Sequence, residues 1–162
     1  MERKSFGRNY LDPHRANNFL DSCAFDPGDA TEDEAARRIR ALANDGKVNL
    51  ILTHSTQKEI DHRNTPPDVK REASAMLFTL ETSLTPPELV RKARIHTILT
   101  GNGKAEKYAA DAMHVFEAGR YGGYFVTTDE RILAKKEELG RESGAVILKP
   151  SDWLRIFQEA GA

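Results

Sequence analysis

Apolar positions along the chain fall into short strand-like runs separated by longer stretches of helical period. Asn18-Phe19-Leu20 is a very short apolar run ending at Asp21-Ser22-Cys23, and Phe25-Asp26-Pro27-Gly28 after it is turn chemistry. Thr31-Glu32-Asp33-Glu34 reads as a capping box, with Thr31 as N-cap and Glu34 three positions on. The helix it opens carries Ala35, Ile39, Leu42 and Ala43 on one face and stops at Asn44-Asp45-Gly46. Val48 to Thr53 is an apolar run of strand length, after which Ser55 or Thr56 can cap a helix through Glu59 and Ile60.

Pro66-Pro67 and Pro86-Pro87 each open a further helix, because proline suits the first helical turn. Met76, Leu77 and Leu80 give the first of these its apolar face, and Leu89, Ile95, Ile98 and Leu99 the second. Gly101-Asn102-Gly103 is a loop. A long helix over 105–118 follows, striped by Tyr108, Ala112, Val115 and Phe116 and stopped by Gly119. Tyr124 to Thr127 predicts a strand, Glu130 to Leu139 a helix, and Ala145 to Leu148 a strand. Ser151 then caps a last helix holding Trp153, Leu154, Ile156 and Phe157.

Strands alternating with helices predict a three-layer α/β/α domain with a central parallel sheet of about four or five strands. Right-handed crossovers are expected. Residues 1–16 are polar with little period and read as an N-terminal arm; 17–162 read as a single domain. In open sheets of this kind ligands gather outside the carboxyl ends of the strands, so the side chains placed there are the ones to inspect.

Composition narrows the class. Of the 162 residues 39% are hydrophobic and 30% charged, which suits a soluble globular chain and neither a disordered nor a membrane one. No apolar run is long enough to span a bilayer, and Met1-Glu2-Arg3-Lys4-Ser5 has no apolar segment behind its charges. A lone cysteine, Cys23, makes no intramolecular disulfide and favours a reducing compartment, so a cytoplasmic location is expected. Lys plus Arg number 24 against 25 Asp plus Glu, a net charge of −1, so any nucleic-acid footprint must be local. Arg91, Lys92, Arg94, Lys104 and Lys107 form such a local positive stretch, although a cluster of this kind is usually a solvated helix face.

Four acids hold candidate positions. Asp21 ends the first strand, Asp129 closely follows the strand at Tyr124, Glu59 starts the helix after the second strand, and Asp111 lies in the long helix. Brought together they would repel, raising their pKa values unless cations neutralised them. An all-oxygen donor set favours Mg²⁺ or Mn²⁺, and such ions can clamp the attacking and leaving oxygens of a phosphodiester. Taken singly, an acid at a strand end is more often a surface charge or a helix cap.

Asn18-Phe19-Leu20-Asp21-Ser22, Glu59, Asp111-Ala112, Val126-Thr127-Thr128-Asp129-Glu130-Arg131 and the closing Val146-Ile147-Leu148-Lys149-Pro150-Ser151-Asp152-Trp153-Leu154, in that order, resemble the PIN domain family over about residues 17–157. The resemblance implies a metal-dependent endoribonuclease of the kind found as the toxin of a toxin–antitoxin pair. Asp21, Glu59, Asp111 and Asp129 would be its catalytic and metal-binding acids, with Mg²⁺ or Mn²⁺ as cofactor. Thr127 matches the hydroxyl residue two before the last acid, and Ser22 the one after the first. RNA as substrate, an antitoxin as protein partner and a homodimer are implied as well, with no membrane association. Cys23 stands where the family usually has Asn, and residues 61–104 make a longer middle section than small toxins carry.

Rival signals point elsewhere. Glu59-x-x-His62 and Asp111-x-x-His114 echo di-iron helical bundles, but the strands argue against that architecture. The histidines and Cys23 lack zinc spacing, and Ser22 and Cys23 lack the partner order of a nucleophile. Tyr121 and Tyr124 are candidates for base stacking, with packing the commoner role for either, and Trp153 is a core anchor. A non-catalytic PIN-like RNA-binding module is the competing functional reading.

Overall fold

A computed structural model describes residues 12–21, 29–52, 67, 71, 77–78 and 83–161. Its strands are β1 (Asn17–Leu20), β2 (Asn49–Leu52), β3 (Leu77–Phe78), β4 (Tyr124–Val126) and β5 (Val146–Leu148). They form one sheet in the order β3-β2-β1-β4-β5, every pairing parallel. The helices are α1 (Ala30–Asn44), α2 (Pro86–Thr100), α3 (Ala109–Arg120), α4 (Glu130–Ala134), α5 (Lys136–Ser143) and α6 (Pro150–Ala160), with a 3₁₀ turn at Ala105–Tyr108 leading into α3.

Period-two alternation on the strands separates two hydrophobic layers. Leu20, Leu50, Leu52, Tyr124, Val126 and Leu148 face α1 and α6, whose Ala36, Ile39, Trp153, Leu154 and Ile156 cover them. Phe19, Phe125 and Ile147 face the other way, against Ile95 and Leu99 of α2, Ala112, Val115 and Phe116 of α3, Ile132 of α4 and Leu139 of α5. The expected three-layer α/β/α architecture is therefore what forms. The β1-to-β2 step runs in one direction with its helix on one face; the returns to β4 and β5 run the opposite way with helices on the opposite face. All these crossovers therefore share one hand.

Several elements differ from the sequence reading, each for a physical reason. Asp29, not Thr31, caps α1: its carboxylate accepts from the amides of Thr31 (2.9 Å) and Glu32 (3.1 Å), a stronger cap than a threonine hydroxyl. Glu34 pairs with Arg37 instead of closing a box. Leu77 and Phe78 form a strand beside β2 rather than the face of a helix, although Pro67 and Arg71 before them are helical. On α2, Ile95 and Leu99 are buried but Leu89 is half exposed, because six residues at about 100° each carry it well off their face. That helix starts with a true capping box, Thr85 with Glu88. The predicted helix over 130–139 breaks at Lys135, whose ammonium turns back to the Ile98 carbonyl at the end of α2 (2.7 Å). α6 starts at Pro150, and the amide of Ser151 is capped from α1 by Glu32 (2.9 Å) rather than capping the helix itself.

Gly119 does not stop α3. It lies within the helix, where a β-carbon would stand 2.1 Å from the Ser143 carbonyl oxygen, so its role is to let α3 pass flush against the end of α5. The turn follows at Gly122, with φ 65°. Within residues 12–16 of the expected arm, Pro13 is buried and His14 stacks on Phe157, ring centres 4.2 Å apart. Among the described residues, no helix is long and apolar enough to cross a membrane.

One polar group sits inside the apolar layer beneath α6. Asn18 is fully buried, and its amide donates to the carbonyls of Pro13, Ala16 and Asn49 at 3.0–3.1 Å. Its oxygen accepts from the Trp153 indole at 2.9 Å. The side chain thereby ties the residues before β1, strand β2 and α6 together, with its bonds to Pro13 and Trp153 buried. Replacing it with an apolar isostere strands an indole N–H and several carbonyls. Asn18→Leu is expected to lower unfolding stability by about 2–4 kcal/mol, read by urea titration, where a neutral result would show that water reaches these groups.

Candidate active site

The sheet's chain order reverses between β1 and β4. From β1 the chain moves outward through β2 and β3, then returns to build β4 on the other side. Crossovers leave β1 and β4 toward opposite faces, so a crevice opens beyond their carboxyl ends. Asp21 follows β1 directly, and Thr127 and Asp129 follow β4.

Asp21 is buried, and its amide extends the ladder by donating to the Val126 carbonyl (2.9 Å). Thr127 is also buried; its amide donates to the Leu148 carbonyl of β5 (3.0 Å). The Thr127 hydroxyl works in both directions. It donates to Asp21 Oδ2 at 2.7 Å and accepts from the Asp129 amide at 3.0 Å. A single rotor thus fixes the first acid and sets the backbone from which the last one projects. Asp129 caps α4, accepting from the Arg131 amide at 2.9 Å. Asp111 reaches the crevice from the first turn of α3.

Electrostatics show that these three acids share one field. Asp111 is pushed up to about 6, first by burial, then by the charges of Asp21 and Asp129, with His114 and Arg131 opposing. Burial also pulls the Asp129 carboxyl upward, but hydrogen bonds from the Arg131 side chain and amide outweigh it and hold Asp129 below the usual range. Arg131 is a participant that motif spacing did not single out. Its guanidinium lies 3.0 Å from Asp129 Oδ2 and 3.9 Å from Asp111 Oδ2, over the Tyr108 ring with 5.2 Å to the centroid. The signal available in the sequence was its position two residues past a helix cap, where an arginine folds back onto the capping carboxylate.

The structure thus gathers Asp21, Asp111, Asp129 and the supporting Thr127. Glu59, Ser22 and Cys23 lie outside the described residues. The oxygen-only donor set suits a hard divalent cation, and burial together with the Asp21 and Asp129 charges raises the Asp111 pKa despite the opposing guanidinium. As the side chains stand, no three His, Cys, Asp or Glu groups among the described residues converge closely enough to hold an ion.

The basic stretch divides between the two ends of the domain. Glu88 at the start of α2 pairs with Arg120 at the end of α3 (3.0 Å), and His96 donates to the Ala105 carbonyl (2.6 Å), so α2 and α3 run antiparallel. Lys104 and Lys107 therefore share the end of the fold that carries Asp111, whereas Arg91, Lys92 and Arg94 lie along α2 toward the other. Arg94 faces Glu142 of α5 at 3.6 Å. Tyr124 is buried in the core, and Tyr121 packs on Phe19 before β4, which removes both as stacking platforms at the carboxyl edge.

No family model matches the chain, and no curated protein is significantly similar to it.

Two predictions follow from this geometry. Because the folded Asp111 carboxyl titrates near 6 and an unfolded one near 3.8, folding takes up a proton across that window, and its contribution to stability declines as pH rises through it. In chelator, Asp111→Asn is expected to be more stable than wild type by about 1–2 kcal/mol at pH 7.5, with the gain shrinking toward pH 4. A gain independent of pH would mean that neither burial nor the neighbouring charges raise the Asp111 pKa. Thr127→Val leaves the Asp21 carboxylate and the Asp129 amide each short of a partner and should destabilise by about 1–3 kcal/mol in thermal melts, while Thr127→Ser stays near wild type.

Proposed function

We propose that the chain is a metal-dependent endoribonuclease of PIN type, hydrolysing RNA phosphodiesters at the carboxyl edge between β1 and β4. One observation carries the reading. Carboxylates from three separate elements face the crevice where β1 and β4 diverge, and burial together with the charges of Asp21 and Asp129 pushes Asp111 up to about 6.

Asp21, Asp111 and Asp129 would hold Mg²⁺ or Mn²⁺, and Glu59 is the fourth acid by resemblance alone. When bound, the ion supplies an acidified water and offsets charge on the transition state. The chain's own residues set the stage. Thr127 keeps the Asp21 carboxylate in one rotamer through its 2.7 Å bond. Cap formation at α4 fixes Asp129, since its Oδ1 is already committed to the Arg131 amide. Lys104 and Lys107, at the same end, would attract the RNA backbone, and single-stranded or looped RNA is the accessible form. A cytoplasmic toxin working as a homodimer under control of an antitoxin belongs to the same proposal.

The alternative, a non-catalytic RNA-binding module, draws support from the Arg131 ion pair, which already neutralises part of the cluster. Asp129→Asn separates the two, because asparagine caps a helix as well as aspartate and the fold should persist. Purified protein incubated with labelled RNAs in Mn²⁺, Mg²⁺ or chelator should cut only with metal, and Asp129→Asn should cut at least ~100-fold more slowly. RNA affinity unchanged by this variant, without cleavage by either protein, would establish the binding module instead.

A further inference from the structure

Arg131 occupies the position at which a cation is wanted. Its guanidinium makes 3.3 Å and 3.0 Å contacts to the two oxygens of Asp129, a bidentate clasp, and stands 3.9 Å from Asp111. Tyr108 supports it from the side with its ring. The side chain is nonetheless 49% exposed, so it can swing out into water without opening the core.

We propose that Arg131 is a built-in counter-cation that competes with the divalent metal for Asp129 and Asp111, so that metal enters only as the guanidinium leaves. The inference rests on the metal-site reading above. Its physical basis is charge: a guanidinium that engages both Asp129 oxygens already offsets their charge, and a second cation at that spacing is repelled. A guanidinium is well suited to the role because its planar fork matches a carboxylate edge to edge, a match an ammonium cannot make. The clasp would keep the acids neutralised while metal is scarce, shifting half-saturation to a higher metal concentration than the acids alone would dictate.

The test is Mn²⁺ affinity, followed by electron paramagnetic resonance of the free ion, with no RNA present. Arg131→Gln is expected to bind Mn²⁺ about tenfold more tightly than wild type, a change of about 1.4 kcal/mol. Arg131→Lys, which keeps the charge and loses the fork, should fall between the two. Removal of a positive charge nearby raises affinity for any cation by long-range attraction alone, so Lys107→Gln serves as the control and should shift affinity by no more than about twofold. Thermal melts in chelator provide an independent readout: Arg131→Gln should unfold at lower temperature than wild type and gain more on addition of Mn²⁺.

Equal or weaker Mn²⁺ binding by Arg131→Gln, with wild-type binding abolished in Asp129→Asn, would overturn the competition while leaving the metal site intact. An effect of Lys107→Gln as large as that of Arg131→Gln would overturn it too, in favour of a diffuse field. Absence of Mn²⁺ binding to every protein, or binding that survives Asp129→Asn, would remove the metal-site reading and this inference with it.

Discussion

The parallel pairing of β1 with β4 joins two halves of the chain that would otherwise share little. Phe19 registers with Phe125 and Leu20 with Val126, and these four side chains are completely buried, two in each hydrophobic layer. Everything to one side of this seam, β2 and β3 with α1, is built before it forms in chain order; everything to the other side depends on it. The same seam places Asp21 and Thr127 side by side, because residues that follow paired positions on parallel strands leave the sheet together. The candidate chemistry is therefore a direct consequence of the register: sliding β4 by one residue would turn Thr127 away from Asp21 and exchange the faces of Phe125 and Val126.

Buried charge is tolerated there because it is shared out. Asp21, the most deeply buried of the acids, accepts from a neutral hydroxyl; Asp129, nearer the surface, receives a full guanidinium. Asp111 gets only the far edge of that guanidinium, and its burial, with the charges of Asp21 and Asp129, raises its pKa. A gradient of compensation of this kind leaves one carboxyl group in the cluster close to half-protonated near pH 6.

The architecture was legible because strand and helix periods differ and because each strand is bounded by polar or turn residues. Asp21 and Asp129 are legible from the rule that strand ends collect ligands; Asp111, within a flanking long helix, joins them in the sequence reading through the family resemblance. Other details depend on distances that no local pattern carries. Gly119 looks like a helix stop until the Ser143 carbonyl is seen against it; Leu77 and Phe78 suit a helix face until β2 offers an edge. Asn18 reads as an interruption in a weak strand, yet it is a fully buried and fully bonded hub. Arg131 pairs locally with Asp129, but its reach to Asp111 on another helix is a distance that no local pattern carries.

The Asn18–Trp153 bond has an optical consequence. Trp153 is the chain's sole tryptophan, held by Asn18 and stacked on Phe157 with ring centres 5.3 Å apart. Its indole senses the layer formed by α1 and α6, on the opposite face of the sheet from the helices that carry Asp111 and Arg131. Its emission is therefore a private signal for the docking of the last helix onto the first strand. Light from this one ring distinguishes a protein that has lost its fold from one that has only rearranged its carboxylates, without any label being attached.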